Sequence, residues 1–244
     1  MSERPVAKQF GRVADIYAEA EMRRYPPDLV LGLADPDHED LHLDVGTGPG
    51  TLAGLIGPHV TRSVGTDVTA EMLDLCLSRT HGVDCVRADA HRLPFEDGSF
   101  TLVSCGSVYH HLEDPGLAMA EAFRVLRPGG RFLLVDMAGP DHPARRQARD
   151  EVERVRDYTH VGILAPSQVH RMLQESGFQL REEERQVEDK RDEDWVRVAG
   201  ADLEAVRKEL WRHQKLAGGF MALRWEGDHF LFRRERAYYL SVKR

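Results

Sequence analysis

Residues 44–50 combine an acid with three closely spaced glycines, a pattern suited to holding a nucleotide-like molecule. Asp44 ends an apolar, β-like run, and Gly46, Gly48 and Gly50 follow at intervals of two residues. A tight turn from a strand into a helix needs glycine, because the turn uses unusual backbone angles and leaves no room for a Cβ against a ligand. The turn would therefore present backbone N–H groups to the ligand. Packing is the alternative role, since glycine-rich turns of α/β proteins often serve only close approach.

The spacing of the glycines argues against two common phosphate-binding turns. A dinucleotide pattern, G-x-G-x-x-G, would place its third glycine at position 51, where this chain has Thr51. The carboxylate of Asp44 would repel a pyrophosphate and suits a ligand that carries an ammonium group or hydroxyls. No G-K-[ST] sequence follows the turn, which excludes a P-loop.

Two further acids follow the next two predicted strands. Asp67 lies 21 residues beyond Gly46, a separation at which an acid can accept both hydrogens of a ribose diol. Asp89 can accept from an exocyclic amine such as that of adenine, and its neighbours Ala88 and Ala90 would let a flat base approach. Ligands of open parallel sheets bind beyond the carboxyl ends of the strands, so we expect these acids to face one crevice. A solvated loop carboxylate is the alternative for each acid taken singly.

His110 and His111 are the candidate catalytic residues, since an imidazole can take a proton from a hydroxyl or an activated carbon acid. They follow the fourth predicted strand, near the expected crevice. A packing or helix-capping role is the alternative for this pair. No metal site is expected, because the twelve histidines and three cysteines form no H-E-x-x-H, C-x-x-C or Cys/His cluster.

Strands and helices alternate around these residues. Strands are predicted at 41–45, 63–67, 83–88, 100–105 and 131–137, and helices at 51–56, 70–78 and 117–126. Outside this stretch, helices are predicted within 5–25, at 144–158 and at 167–176, and strands at 178–187 and within 229–242. The alternation implies βαβ units and a mostly parallel sheet. The pair Pro26-Pro27 is interpreted as an interruption of the first helix.

Composition narrows the class of partner. The 244 residues are 41% hydrophobic, which supports a real core, and no run of about 18 apolar residues would span a membrane. The first residues lack the apolar core of a signal peptide, so a cytoplasmic protein is expected. A net charge of −8 argues against a nucleic-acid partner.

Five motifs occur in order between residues 41 and 136. They are LDVGTGPG at 43–50, GTDVTAEML at 65–73, ADA at 88–90, LPFEDGSF at 93–100 and LRPGG at 126–130. In these motifs the chain resembles the class I S-adenosylmethionine-dependent methyltransferases of the small-molecule type, which include the ubiquinone/menaquinone-biosynthesis methyltransferases. The segment FGRVADIY at 10–17 is similar to the one that precedes the domain in that family.

The resemblance implies a fold, a cofactor and a set of binding residues. The fold would be an α/β, Rossmann-like sheet of seven strands, mostly parallel with the last strand antiparallel, with helices on both faces and helical lid elements. The cofactor would be S-adenosylmethionine. Its methionine and ribose part would lie against Asp44 and the turn of Gly46, Thr47, Gly48 and Gly50, and against Cys105 and Gly106. Asp67 would hold the ribose hydroxyls, and Val68 and Met72 would pack on the adenine. Asp89 would meet the adenine amine, with Ala90 beside the ring. Tyr17 would close over the cofactor.

One domain of residues 1–244 is predicted. Residues 1–30 would form a helical cap, 38–140 the cofactor-binding half, and 141–244 the substrate-side half with a helical insertion at about 190–227. Aromatic residues of the last part could line a pocket for an aromatic substrate, although each is more often found in a core. They are Trp195, Trp211, Phe220, Trp225, Tyr238 and Tyr239.

The expected reaction is methyl transfer from S-adenosylmethionine to an O, N or C atom of a small molecule, by a monomer or homodimer. One alternative is an NAD(P)-dependent oxidoreductase, which the missing third glycine and the absence of a Tyr-x-x-x-Lys pair disfavour. Nucleic-acid methylation is disfavoured because residues 104–107 read SCGS rather than [DNS]-P-P-[YF]. The remaining alternative is a cofactor-binding protein without methyl transfer activity.

Overall fold

The computed structural model describes residues 5–21, 24–215 and 221–244, with residues 17–21 described by their backbone alone. The strands are β1 (Leu41–Val45), β2 (Arg62–Asp67), β3 (Val83–Arg87), β4 (Phe100–Gly106), β5 (Leu126–Met137), β6 (Phe178–Arg191), β7 (Arg224–Glu226) and β8 (His229–Lys243). The helices are α1 (Pro5–Glu21), α2 (Pro27–Ala34), α3 (Thr51–Ile56), α4 (Ala70–Arg79), α5 (Pro115–Val125), α6 (Pro143–Arg156), α7 (Pro166–Glu175), α8 (Asp192–Ala199) and α9 (Leu203–Arg212). Among these residues, no helix is long and apolar enough to cross a membrane.

The strands form one mixed sheet in the order β3-β2-β1-β4-β5-β8-β6, with β7 paired to β8. Strands β1 to β5 are parallel to their neighbours, whereas β8 is antiparallel to both β5 and β6. The predicted α/β sheet with an antiparallel last strand is confirmed. The short strand β7 adds an eighth strand to the predicted seven, at a place where the sequence predicted helix.

Helices cover both faces of the sheet because successive strand residues point to opposite sides. On one face, Val103 of β4 and Phe132 of β5 pack against helices α5 and α7. On the other face, their sequence neighbours Leu102 and Leu133 pack against α2 and α3. The sheet is therefore buried on both sides, as its near-continuous apolar strands require.

A separate apolar cluster lies among α6, α8, α9 and the start of β8. Trp195 of α8 packs edge-on against Phe232 of β8, with ring centroids 4.6 Å apart, and Val152 and Leu210 join them. Trp195 is therefore a core residue of this cluster. Trp211 and Trp225 pack on Phe230 at the outer surface, where about half of each side chain is exposed.

Two local features differ from the sequence prediction. Pro26-Pro27 does not merely end the first helix: Pro27 is the first residue of α2, where its fixed φ and missing N–H are tolerated. Strand β6 continues to Arg191, four residues beyond its predicted end, because its second half pairs with the first half of β8.

Candidate functional site

The carboxyl ends of β1, β2 and β4 open into a cavity of about 660 Å³, a size within the usual range for small-molecule sites. The lining includes the sequence-predicted residues Asp44, Gly46, Thr47, Gly48, Asp67, Val68, Met72, Asp89, Ala90, Gly106 and His111. Gly50, Cys105 and His110 do not line it. The side chain of Tyr17 lies outside the described residues.

The three glycines of the turn serve different purposes. All have positive φ, at +67° for Gly46, +55° for Gly48 and +87° for Gly50, so each favours glycine on backbone grounds. A Cβ on Gly46 would overlap the Val108 side chain, and one on Gly50 would lie 2.8 Å from Cys76 Sγ. A Cβ on Gly48 would meet no atom within 4 Å. Only Gly48 thus combines an open approach with a position on the cavity wall.

Asp44 is buried at the end of β1 and holds the turn in place. Its carboxylate accepts hydrogen bonds from Thr47 Oγ1 at 2.7 Å and from Ser104 Oγ at 2.6 Å. Burial raises the pKa of Asp44 to about 6, although these two hydroxyls oppose the shift. The residue lines the cavity, but both oxygens already have partners within the protein.

A buried histidine continues this hydrogen-bond chain below the site. The Ser104 hydroxyl donates its single hydrogen to Asp44. Its oxygen must therefore accept from His42 Nε2–H, at 2.8 Å. His42 Nδ1 is then the acceptor for Ser63 Oγ, also at 2.8 Å. Burial lowers the pKa of His42 to about 3, which keeps the ring neutral and the direction of the chain fixed. No motif or spacing in the sequence indicated this hydrogen-bond chain.

Asp67 ties the end of β2 to the glycine turn. Its Oδ2 accepts from the Gly48 N–H at 3.0 Å and its Oδ1 from the Thr69 N–H at 2.9 Å. Burial raises the pKa of Asp67 despite these two backbone donors. Val68 and Met72 continue the same wall.

Asp89 is fixed beyond the end of β3 by its own neighbourhood. Its Oδ1 accepts from the His91 N–H at 3.1 Å and lies 2.8 Å from His91 Nδ1. The flanking residues Ala88 and Ala90 line the cavity as well.

The end of β4 brings in a tyrosine that the sequence analysis missed. Tyr25, between α1 and α2, lines the cavity, and its Oη lies 3.0 Å from Ser107 Oγ. A Cβ on Gly106 would approach Tyr25 Oη to 2.6 Å, so glycine is needed there for this close contact. Cys105, by contrast, is buried behind the wall, and burial raises the pKa of its thiol well above the ordinary value.

His110 and His111 occupy different environments despite their adjacency. His110 is buried, with Nδ1 2.6 Å from Asp136 Oδ1, and it does not line the cavity. Burial raises the pKa of Asp136, but the contact with His110 and backbone N–H groups outweigh it, so the pKa lies below its ordinary value. His111 lines the cavity and lies with Nδ1 3.2 Å from the Thr159 carbonyl. Burial, aided by His110, lowers the pKa of His111 to about 3.

The segment between α6 and α7 supplies a third histidine that the sequence analysis missed. His160 is buried, lines the cavity, and has Nε2 2.8 Å from Asp150 Oδ1 on α6. The backbone N–H of Val161 donates to the His110 carbonyl at 2.9 Å, which fixes this segment beside the histidine pair. No sequence signal links positions 110 and 160, since only the fold brings them together.

The aromatic residues at the cavity are not those expected from the sequence. Of the expected residues, Phe220 lies outside the described part of the chain, and the lining contains none of the other five, which are Trp195, Trp211, Trp225, Tyr238 and Tyr239. Phe10 of α1, Tyr25 and Tyr158 line it instead. Trp195 packs in the cluster among α6, α8 and α9, Trp211 and Trp225 pack on Phe230 at the outer surface, and Tyr238 and Tyr239 of β8 are buried on the two faces of the sheet.

A group of possible metal ligands lies away from the cavity. Among the residues that the structure describes, Glu151, Glu209 and His213 bring their ligand atoms within 4.8 Å of one another between α6 and α9. His213 Nε2 is 2.7 Å from Glu151 and 2.9 Å from Glu209, so these groups satisfy each other as ion pairs.

Comparison with known proteins agrees with this geometry. Residues 43–134 match the family model described as a methyltransferase domain. The uncharacterized methyltransferase YcgJ of Bacillus subtilis is 35% identical over 159 residues, which cover 62% of this chain and 63% of that protein. The ubiquinone/menaquinone biosynthesis C-methyltransferase UbiE of Desulfotalea psychrophila is 30% identical over 139 residues, covering 55% of this chain and 56% of that protein. The chain thus spans less than two thirds of the length of these relatives.

The structural match extends further along the chain. The crystal structure of the Bacillus halodurans protein BH2331 has a TM-score of 0.79 and 28% identity, over 89% of this chain and 98% of that one. The chain carries a class I S-adenosylmethionine-dependent methyltransferase domain, and S-adenosylmethionine is its cofactor.

Proposed function

We propose that this chain transfers a methyl group from S-adenosylmethionine to an oxygen, nitrogen or carbon atom of a small-molecule acceptor. The observation that supports it most directly is the shape of the cavity. One wall consists of the glycine turn and the acids after β1, β2 and β3, and another comes from α1 and from residues 158–161. The two walls face the same enclosed space, so a cofactor and an acceptor would meet there.

The cofactor-side residues fit the parts of S-adenosylmethionine. Asp67, at the end of β2 and in the cavity lining, would take the ribose hydroxyls. Val68 and Met72 would pack on the adenine, and Asp89 would accept from its amine. The open face of Gly48 together with Gly106 would receive the methionine part. Asp44 would act mainly by fixing the turn, because Thr47 and Ser104 occupy its oxygens.

The chain's own contribution to the reaction would be position and exclusion of water. When bound, S-adenosylmethionine supplies a methyl group already activated on a sulfonium sulfur. The protein then needs to hold the acceptor atom in line with that bond at close range, and such positioning provides a large part of the rate gain. Phe10, His111, Tyr158 and Val161 line the part of the cavity left for the acceptor.

The halves of the chain would divide these tasks. We propose residues 38–140 as the cofactor-binding half and 141–244 as the acceptor side, with 1–30 as a cap over the cavity. Phe10 and Tyr158 in the lining suit a flat or aromatic small molecule. Nucleic acid is not the proposed acceptor, because the chain has a net charge of −8.

Calorimetry tests the cofactor preference first. S-adenosylmethionine and S-adenosylhomocysteine should both bind, whereas NAD⁺ and NADP⁺ should bind far more weakly. Tighter binding of a nicotinamide dinucleotide would instead favour an oxidoreductase. Release of S-adenosylhomocysteine, followed by mass spectrometry over a panel of phenols, thiols, amines and carbon acids, then tests transfer. Tight cofactor binding with no turnover across the panel would favour a cofactor-binding protein without methyl transfer activity.

A further inference from the structure

Two histidines of the cavity lining have a ring in direct contact with an acid: His91 contacts Asp89 on the proposed cofactor side, and His160 contacts Asp150 on the proposed acceptor side. Asp150 Oδ1 also accepts the Ile163 N–H at 2.8 Å, so this oxygen is an acceptor and His160 Nε2 carries the proton between them. The lone pair of the neutral ring is then on Nδ1. Among the described residues, Nδ1 of His160 has no hydrogen-bond partner, and the ring lines the cavity.

His110 and His111, the two histidines beside His160, are less suited to accept a proton from an acceptor molecule. His110 points Nδ1 at Asp136 but does not line the cavity. His111 lines the cavity, but its Nδ1–H faces the Thr159 carbonyl, and no carboxylate contacts the ring directly. Burial makes His111 a weak base, whereas a carboxylate on the far nitrogen of His160 would stabilise the imidazolium formed on proton uptake.

We propose that His160 is the catalytic base of the methyl transfer, with Asp150 as its positioning residue, and that the acceptor carries a hydroxyl or an acidic C–H. This inference rests on the proposed methyl transfer. An acceptor that is already a free nucleophile, such as a thiolate, would not need the base. The inference therefore narrows the acceptor class from any O, N or C atom to groups that must lose a proton.

The proton and the electron pairs balance in one step. The proton of the acceptor O–H moves to Nδ1 of His160, and the electron pair left on oxygen forms the bond to the methyl carbon. The pair of the former carbon–sulfur bond leaves on sulfur, which becomes a neutral thioether. The imidazolium keeps its Nε2–H bond to Asp150 until the proton passes to water after product release.

Several charged or titratable groups face the ring and bear on its pH dependence. They are Asp150 and Glu153 from α6, Asp157 from the segment of His160 itself, and His110 and His111 from the short helix at 109–111. The pKa of His111 is lowered to about 3 by burial, so His111 does not titrate above about pH 5.

The first test needs no turnover. Long-range ¹H–¹⁵N spectra of the cofactor-free protein report which nitrogen of each imidazole carries hydrogen, and His160→Gln assigns the signal. We expect the Nε2–H tautomer at pH 7.5, and a mixture of tautomers in Asp150→Asn. An Nδ1–H tautomer, or a spectrum unchanged by Asp150→Asn, would overturn the proposal.

The second test compares two probes, phenol and thiophenol, with the same enzyme. Thiophenol is already ionised at pH 7.5, whereas phenol ionises only near pH 10. His160→Gln can still donate to Asp150, and it should slow phenol methylation about 100-fold while changing thiophenol methylation less than threefold. Equal effects on both probes would contradict a role as base.

A matched control and a binding measurement separate this inference from the proposed function. His170→Gln changes a histidine of α7 that contacts Glu183 and is 44% exposed, and it should leave both rates unchanged. His160→Gln should bind S-adenosylhomocysteine within twofold of wild type. If wild type binds the cofactor but methylates neither probe, the proposed methyl transfer to such acceptors is wrong. The tautomer measurement then decides by itself whether the Nδ1 lone pair of His160 faces the cavity.

Discussion

Replacing Gly48 by alanine tests whether the glycine turn lies directly against the cofactor. Gly48 has φ +55°, and an added Cβ would meet no protein atom within 4 Å. Placing alanine in the left-handed conformation destabilises the folded state by roughly 1–2 kcal/mol. Alanine also lowers the conformational entropy of the unfolded chain, which offsets roughly 0.4–1 kcal/mol of that loss. The free energy of unfolding should therefore fall by about 1 kcal/mol, which lowers Tm by roughly 2–4 °C in a domain of this size.

The effect on binding should be larger than the effect on stability. The new methyl group would project into open space at a residue that lines the cavity, where the methionine part of the cofactor is proposed to lie. Overpacking a closely fitted contact by one methyl costs about 1–3 kcal/mol, which corresponds to roughly 5- to 150-fold in Kd. Calorimetric titration with S-adenosylhomocysteine measures this loss directly.

Gly82→Ala is the matched control for this experiment. Gly82 has φ +77° and also leaves a Cβ with no neighbour within 4 Å, but it lies outside the cavity lining. The control should show a similar decrease in Tm and an unchanged Kd. If Gly48→Ala binds S-adenosylhomocysteine as tightly as wild type does, the cofactor does not contact the turn and the placement of the site is wrong.

Three further predictions concern buried acids. Asp67→Ala should weaken S-adenosylmethionine binding by roughly 1–3 kcal/mol, the scale of a lost buried hydrogen bond, and an unchanged calorimetric Kd would contradict its role. Because burial raises the pKa of Asp44 to about 6, its charge destabilises the fold above pH 6 and this penalty disappears as pH falls toward 4. Thermal melts should therefore show wild type gaining about 3 kcal/mol relative to Asp44→Asn between pH 7.5 and 4, and parallel curves would refute this. Glu153→Gln should cost roughly 3–5 kcal/mol in urea unfolding, because it leaves the buried guanidinium of Arg149 without its partner; a loss under about 1 kcal/mol would contradict that.

Much of the sheet was predictable because its elements carry local signals. The runs before Asp44 and around Val64 and Val103 are apolar, and glycine or turn residues end each one. Their parallel direction followed from the sequence, whereas their order in the sheet came from the structure. The predicted helix at 51–56 coincides with α3. Helix α2 was missed because two prolines were interpreted as a break, although proline also begins helices.

The late part of the chain was harder to predict for a physical reason. Residues 190–227 carry helical periodicity in α8 and α9, but Arg224–Glu226 form β7 only because β8 offers a free edge there. The pairing of a short strand depends on its neighbour more than on its own residues. For the same reason, the aromatic residues of this region could not be assigned to core or cavity from the sequence.

The sequence by itself determined the cofactor half: the glycine turn, Asp67 and Asp89 occur at strand ends, and parallel pairing obliges those ends to meet. Only the tertiary structure decided which residues line the other side of the cavity. Tyr25 and His160 reach the cavity from segments far apart in the chain, and Asp150 fixes the orientation of His160. Contacts of this kind depend on how loops pack over the sheet, and no periodicity or spacing in the sequence encodes that packing.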